Sequence, residues 1–186
     1  YGEHTLRTIK STQLPTKMKF GTDDLSQEES SSLIVLQQCD TRELEDCIGM
    51  FKNCINLKSA KLFAIGNYKI KNISSMFEGC INYLGTIGNF FELEIKDMSN
   101  LYKDCTSFWG ADLKYIKINK NTKVDGVFDN CFINTIATTQ QNVNYLVDEL
   151  PTKTLLSSGE ILLTTTYENI DCSEKLTQKH WYIYGL

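Results

Sequence analysis

Hydrophobic and polar residues follow a repeating pattern between Cys47 and Cys131. Each repeat contains two large apolar residues followed, after two variable positions, by a cysteine. The four copies are Met50-Phe51-x-x-Cys54, Met76-Phe77-x-x-Cys80, Leu101-Tyr102-x-x-Cys105 and Val127-Phe128-x-x-Cys131. The cysteines are nearly evenly spaced, and a period of about 26 residues predicts a solenoid, in which each repeat forms one stacked structural unit.

A further apolar residue lies three positions before each pair. These residues are Cys47, Ile73, Met98 and Val124. The resulting spacing of i, i+3, i+4 and i+7 predicts a two-turn amphipathic helix in each repeat. Residues one repeat apart should lie about 5 Å apart, close to the separation of neighbouring strands. We therefore expect an internal structural ladder made of Cys54, Cys80, Cys105, Cys131, Phe51, Phe77, Tyr102 and Phe128.

The residues after each cysteine predict the strand of each unit. In the first and third repeats, apolar residues lie 3, 6, 8 and 11 positions after the cysteine: Leu57, Ala60, Leu62 and Ile65, then Phe108, Ala111, Leu113 and Ile116. In the second repeat Thr86 and Gly88 occupy positions that are aliphatic in the others, which indicates a bulge or an irregular strand helped by Gly85 and Gly88. Parallel strands should line one face of the molecule and short helices the other.

The flanking segments predict atypical end units. Residues 5–10, 33–36, 161–167 and 181–184 have the character of strands, and residues 141–150 carry a helical stripe that Pro151 ends. A short helix is predicted from Asp171 or Ser173 to Leu176. We expect one continuous solenoid domain with a strand-containing cap at 1–32, a repeat array at 33–140 and capping helix–strand units at 141–186.

Composition limits the classes of function. The 186 residues are 41% hydrophobic, enough for a sizeable core, and carry a net charge of −4 without a basic stripe. Nucleic-acid binding is therefore not expected. No apolar run reaches the roughly 18 residues of a membrane span, so direct membrane insertion is not expected either. The start at Tyr1 is typical of a mature or excised fragment.

The pattern of the seven cysteines predicts a structural role for them and not a reactive one. Their number is odd and their spacing follows the repeat, which favours buried free thiols over disulfides, although a spacing of about 5 Å leaves disulfides open. Zinc sites bring ligands in close pairs, and none is present. His4 and His180 are the only imidazoles. We expect no catalytic residue, no metal site and no cofactor.

Candidate partner-binding residues are those that project outward between the buried positions of the strands, together with nearby aromatic surface. They are Phe63, Asn89, Trp109, Asp112 and Lys114. Trp109 could stack on a sugar or anchor a protein partner. The alternative is that Trp109 and Phe63 pack along the edge of the solenoid as the ordinary rim of the core.

Two repeats carry a family resemblance. Met50-Phe-Lys-Asn-Cys-Ile-Asn-Leu57 and Ile73-Ser-Ser-Met-Phe-Glu-Gly-Cys80 resemble the BspA-like leucine-rich-repeat family, also called the mycoplasma-type surface protein 26-residue repeat. Cys39-Asp40-Thr41 is similar to the step that precedes the helix in that family. The resemblance covers residues 33–131. The third and fourth repeats depart from it by replacing Met-Phe with residues of similar shape.

The resemblance implies an α/β fold, a short right-handed solenoid of leucine-rich-repeat type with irregular β-containing caps. It also implies a non-enzymatic recognition or adhesion module of a bacterial surface protein, at the cell surface or secreted, that binds a protein or glycan. The alternative is a structural or decoration domain of a bacteriophage virion protein, in a tail, fibre or head, where it could form a homo-oligomer.

Overall fold

The computed structural model describes residues 8–10, 35–40, 44–63, 69–84, 93–163 and 171–185, with only the backbone course at 8–10, 35–40, 61–63 and 185. Within these residues the chain has a mixed α/β structure with parallel strands, a few short helices and no closed barrel. The α/β class expected from the sequence is therefore confirmed. The domain boundaries stay a prediction.

The strands form three parallel sheets in the described part of the chain. The strands are β1 (Thr8–Lys10), β2 (Val35–Asp40), β3 (Ser59–Phe63), β4 (Leu93–Glu94), β5 (Gly110–Asp112), β6 (Ile116–Lys117), β7 (Thr135–Thr138), β8 (Gly159–Leu163) and β9 (Trp181–Gly185). The orders are β1-β2-β3, β4-β6 and β5-β7-β8-β9. Neighbouring strands in the largest sheet come from successive parts of the chain, so repeats adjacent in sequence are adjacent in space.

In the fourth repeat, the paired strand residues are closer together in sequence than the corresponding cysteines. Ala111 pairs with Ile136, and these two residues are one position closer in sequence than Cys105 and Cys131. Ile136 in turn pairs with Ile161. All three strand residues are buried. The strand of the fourth repeat thus starts one residue earlier relative to its cysteine, and this shift keeps the apolar residues on the inner face.

The prediction of a helix in each repeat is wrong. Residues 48–53, 74–79, 99–104 and 125–130 are each a run of consecutive turns. Each run holds two residues with positive φ, for example Ser75 at 55° and Gly79 at 73°. A residue in the left-handed region interrupts a right-handed helix. The apolar spacing that resembles a helical stripe therefore belongs to a chain of tight turns.

Hydrogen bonds explain why turns replace the helix. The Phe51 N–H donates to the Met76 carbonyl in the next repeat at 2.8 Å, whereas the Lys52 N–H donates back to Gly49 in its own repeat at 3.0 Å. The same alternation recurs between the second and third repeats and between the third and fourth. Every second N–H thus links adjacent units, a pattern that a helix cannot provide because its N–H groups bond internally.

The core is a stack of aromatic rings along these turns. Ring centroids are separated by 5.2 Å between Phe51 and Phe77, 5.7 Å between Phe77 and Tyr102, and 6.1 Å between Tyr102 and Phe128. Phe108 lies beside this column, 4.1 Å from Tyr102. All of these rings are buried. Offset stacking of this kind adds about 0.5–1.5 kcal/mol per pair beyond the burial of apolar area.

The carboxyl-terminal elements confirm the predicted order. Helix α1 (Gln140–Leu146) begins after Thr139, whose side chain accepts a hydrogen bond from the Asn142 N–H, and a 3-10 helix (Val147–Glu149) follows before Pro151. All four residues of the predicted stripe are buried: Val143, Leu146, Val147 and Leu150. Helix α2 (Ser173–Gln178) precedes β9. Residues 164–167 of the predicted strand 161–167 lie outside the described residues.

Candidate binding surface

The ladder cysteines act as internal hydrogen-bond donors. The Cys80 thiol donates to the Phe51 carbonyl at 2.9 Å, and the Cys105 thiol donates to the Phe77 carbonyl at 3.0 Å. The Cys131 thiol makes the same contact with Tyr102. Each thiol thus donates to the backbone carbonyl of the aromatic residue in the preceding repeat. The aromatic residue and the cysteine of the Phe-x-x-Cys motif therefore take part in hydrogen bonds between adjacent units.

Burial makes Cys47, Cys80 and Cys105 poor nucleophiles. It raises the pKa of Cys47 to about 12, with a smaller contribution from Asp46, and it raises the pKa of Cys80 and Cys105 further. All six cysteines whose side chains are described are free thiols, and Cys131 is only partly buried. Because the thiolate is the reactive form, a raised pKa suppresses reactivity at neutral pH.

The described residues show no feature that indicates catalysis or metal binding. Among them, no group of three or more His, Cys, Asp or Glu side chains could hold a metal ion. His180 lies in a turn after α2, where its backbone N–H donates to the Thr177 carbonyl at 3.0 Å, and His4 lies outside the described residues. No helix in the described part of the chain combines the length and apolar character needed to cross a membrane.

Trp109 projects into solvent from a fixed backbone. Its carbonyl accepts the Asn134 N–H at 2.8 Å and the Thr135 N–H at 3.3 Å, which ties the residue to the next repeat. The side chain is 57% exposed, and its ring centroid lies 5.8 Å from that of Phe132, which is 51% exposed. Two large aromatic side chains therefore form an adjacent pair on the surface.

Lys153 completes this surface feature. Its ammonium group lies 5.4 Å from the centroid of the Phe132 ring and 5.7 Å from that of the buried Trp181. It also donates to Oδ1 of Asn134 at 2.7 Å. Burial lowers the pKa of Lys153. We call Trp109, Phe132 and Lys153 the aromatic corner.

Exposed aliphatic residues also occur in neighbouring segments. Leu84 holds in the second repeat the position that Trp109 holds in the third, four residues after the cysteine. Its N–H donates to the Lys58 carbonyl, much as the Asn134 N–H donates to Trp109. Leu155 and Leu156 are exposed in the turn that follows Lys153. Exposed apolar side chains thus occur in at least three segments of the chain.

The structure describes the side chains of three predicted binding residues, and it places Trp109 at one end of β5 and Asp112 and Lys114 at the other. Asp112 is the last residue of β5 and Lys114 follows two residues later; their charged groups are 3.2 Å apart. Lys114 also lies 5.6 Å from the ring of Tyr115 and borders a cleft of about 770 Å³. Phe63 ends β3, and its side chain lies outside the described atoms; Asn89 lies outside the described residues.

Sequence reasoning did not identify Phe132 and Lys153. Phe132 directly follows the fourth cysteine, and the equivalent Ile81 of the second repeat is also exposed. An apolar residue directly after the cysteine in two repeats is therefore a signal in the sequence that could have identified Phe132. Lys153 carried none, because it lies in the tail, where the period of the repeats no longer applies.

Comparison with known proteins identifies a family. The family model described as "Mycoplasma protein of unknown function, DUF285" matches residues 19–144. No curated protein matches the chain significantly, and no solved structure does. The matched segment includes all four repeats, the predicted strand-forming segments between them and most of α1.

Proposed function

We propose a recognition function for this chain, which belongs to the family of Mycoplasma proteins of unknown function called DUF285. The chain is a non-enzymatic recognition or adhesion module of a bacterial surface protein, displayed at the cell surface or secreted. Its partner is a protein or a glycan, and the aromatic corner is the centre of the binding surface.

The proposed scaffold is a right-handed solenoid of the BspA-like leucine-rich-repeat type. Three features support it: parallel strand pairs one repeat apart, turns bonded to the next repeat, and a continuous aromatic stack. A stacked scaffold of this kind holds surface side chains in fixed positions. Fixed positions favour recognition because little conformational entropy is lost when the partner binds.

The exposure of Trp109 beside Phe132 carries the proposal. Large aromatic side chains dominate the energetics of protein interfaces, and a side chain at the centre of one typically contributes about 2 kcal/mol or more. Here two such side chains lie 5.8 Å apart, with a lysine fixed beside them. A protein partner could bury both rings, and a sugar could stack on the indole face.

Alanine substitution tests this surface. The wild-type chain would first be screened on arrays of host proteins and glycans, and affinities for the hits measured by biolayer interferometry. Trp109→Ala and Phe132→Ala should each weaken binding by about 30-fold, which corresponds to about 2 kcal/mol. Both side chains are half exposed, so thermal unfolding should change little.

Tyr184→Ala is the matched control. Tyr184 is 52% exposed, similar to Trp109, but it lies on β9 at the edge of the sheet. Its substitution should leave binding unchanged. Undiminished binding by Trp109→Ala would remove the aromatic corner from the site, and equal losses in all three variants would show that no specific surface had been identified.

A further inference from the structure

A cleft opens where β4, β6 and β7 end. Its volume of about 770 Å³ lies within the range of about 300–1,000 Å³ that is usual for small-ligand sites. The cleft is lined by Lys71, Glu94, residues 114–119 and residues 139–142. These segments belong to different repeats. The cleft therefore exists only when the repeats are stacked, and it does not include the aromatic corner.

Asn142 holds the wall of the cleft in place. Its buried side-chain amide donates to the carbonyls of Leu113 at 3.3 Å and Ile116 at 2.7 Å. Its Oδ1 accepts the N–H of Ile118 at 3.0 Å. These bonds tie the segment 113–118 to α1. Because the fold uses these groups, other lining residues must provide the contacts to a ligand, on walls that are already ordered.

The cleft carries a local positive charge. Lys71, Lys114 and Lys117 contribute three positive charges and Glu94 one negative charge, a balance of +2 among the described lining residues, whereas the chain as a whole carries −4. Asp112, which is not a lining residue, pairs with Lys114 at 3.2 Å and lowers the local balance to +1. This pair and the Lys71–Glu94 pair at 3.9 Å are both partly exposed and therefore weak. A concave surface with excess positive charge attracts anions.

The uncharged lining residues suit hydroxyl groups. Asn119, Gln140 and Gln141 bring side-chain amides, which both donate and accept hydrogen bonds. Oδ1 of Asn119 already accepts the Asn121 N–H at 2.9 Å. The ring of Tyr115 adds an apolar face of the kind on which a sugar can stack. A simple inorganic anion would use the lysines but not the amides or the ring. A sugar that carries acidic groups would use all three.

We propose that this cleft binds an acidic oligosaccharide, with its carboxylate or sulfate groups on Lys114 and Lys117 and its hydroxyl groups on the amides. The proposal goes beyond the recognition function assigned to the aromatic corner, because Trp109 precedes β5 whereas Lys114 follows it. The three residues of β5, roughly 10 Å of extended chain, separate the two. Either site can therefore fail without the other.

Isothermal titration calorimetry with defined oligosaccharides tests the cleft. The probes are a heparin-derived hexasaccharide, which carries sulfates and carboxylates, a hyaluronan hexasaccharide, which carries carboxylates alone, and the neutral maltohexaose. At least one acidic probe should bind and the neutral probe should not. The double variant Lys114→Gln/Lys117→Gln should lower the affinity about tenfold or more. Trp109→Ala should leave it unchanged.

A charge-matched variant controls for non-specific attraction. Lys58→Gln/Lys103→Gln removes the same charge from residues that do not line the cleft, and it should retain the affinity of the wild type. Thermal unfolding would show that both double variants remain folded. Equal losses in the two double variants, equal binding of maltohexaose, or no binding of either acidic probe would each overturn the proposal.

Discussion

Gly159 shows how a single side chain can be excluded by the stacking of repeats. It is buried, and a Cβ atom built at this position would overlap Cδ2 of Trp181. Trp181 cannot move away freely, because its Nε1 donates to the Pro151 carbonyl at 2.8 Å. Gly159→Ala should therefore lower the free energy of unfolding by about 1–3 kcal/mol, measured by urea denaturation.

Leu156→Ala is the control for that substitution. Leu156 lies three residues away and is fully exposed, so its replacement should change the free energy of unfolding by no more than about 0.5 kcal/mol. If Gly159→Ala were as stable as Leu156→Ala, the tight contact with Trp181 would not exist in solution.

Tyr83 offers the opposite case, a residue whose polar group we expect to weaken the fold. Its ring stacks on Phe77 with centroids 4.5 Å apart, but its buried hydroxyl has no hydrogen-bond partner among the described residues. A buried polar group without a partner costs about 1–3 kcal/mol. Tyr83→Phe keeps the ring and should raise the urea midpoint, whereas Tyr184→Phe at the exposed edge should not. A lower midpoint for Tyr83→Phe would reveal a partner for the hydroxyl.

At the scale of elements, the turn segments show the limit of periodicity as a predictor. Apolar residues at i, i+3, i+4 and i+7 indicate which side chains are buried, and those of the repeats are indeed in the core, apart from the partly buried Val124 and Cys131. The same spacing fits a helix and a run of tight turns. The choice depends on where each N–H finds its acceptor, and here every second acceptor lies in another repeat.

Gly79 tests this account of the turns. It has a φ of 73°, and an added Cβ would overlap Oδ1 of Asn53 in the preceding repeat. Gly79→Ala should lower the free energy of unfolding by about 1–3 kcal/mol, since the left-handed region costs about 1–2 kcal/mol for a residue with a Cβ. Differential scanning calorimetry would measure the change.

Ser75 provides the reciprocal substitution. It has a φ of 55° in the same turn segment, so Ser75→Gly removes left-handed strain and should be neutral or slightly stabilising. In a helical segment both substitutions would have the reverse effect, because alanine favours a helix and glycine disfavours it. That outcome would support the helix that the sequence pattern predicts and contradict the run of turns.

At the scale of the whole molecule, the buried thiols couple stability to alkaline pH. Burial raises the pKa of Cys47, Cys80 and Cys105 in the folded state, so folding retains their protons. The contribution to stability is complete below the unfolded pKa of about 8.5 and is lost as the pH rises toward the folded pKa, about 12 for Cys47. The free energy of unfolding should fall steadily from about pH 8.5 upward.

Urea unfolding at several pH values between about 7 and 10 would measure this slope. Cys80→Ala should start from a lower stability, because it leaves a small cavity, but its stability should fall less steeply with pH. A wild-type protein whose stability is constant across this range, or a variant with an unchanged slope, would contradict the coupling.

The sequence by itself determined the period, most of the buried positions and the α/β class, because apolar spacing reports which side chains leave water. It also determined the final helix–strand order, since α1 and the 3-10 helix that ends before Pro151 depend on local signals. Only the tertiary structure decided that turns replace helices, because every second hydrogen-bond acceptor lies in the next repeat. It alone brought together Trp109, Phe132 and Lys153, which are distant in sequence. It also placed Trp109 and Lys114, which are close in sequence, near opposite ends of β5, because an extended strand carries the chain forward by about 3.3 Å per residue.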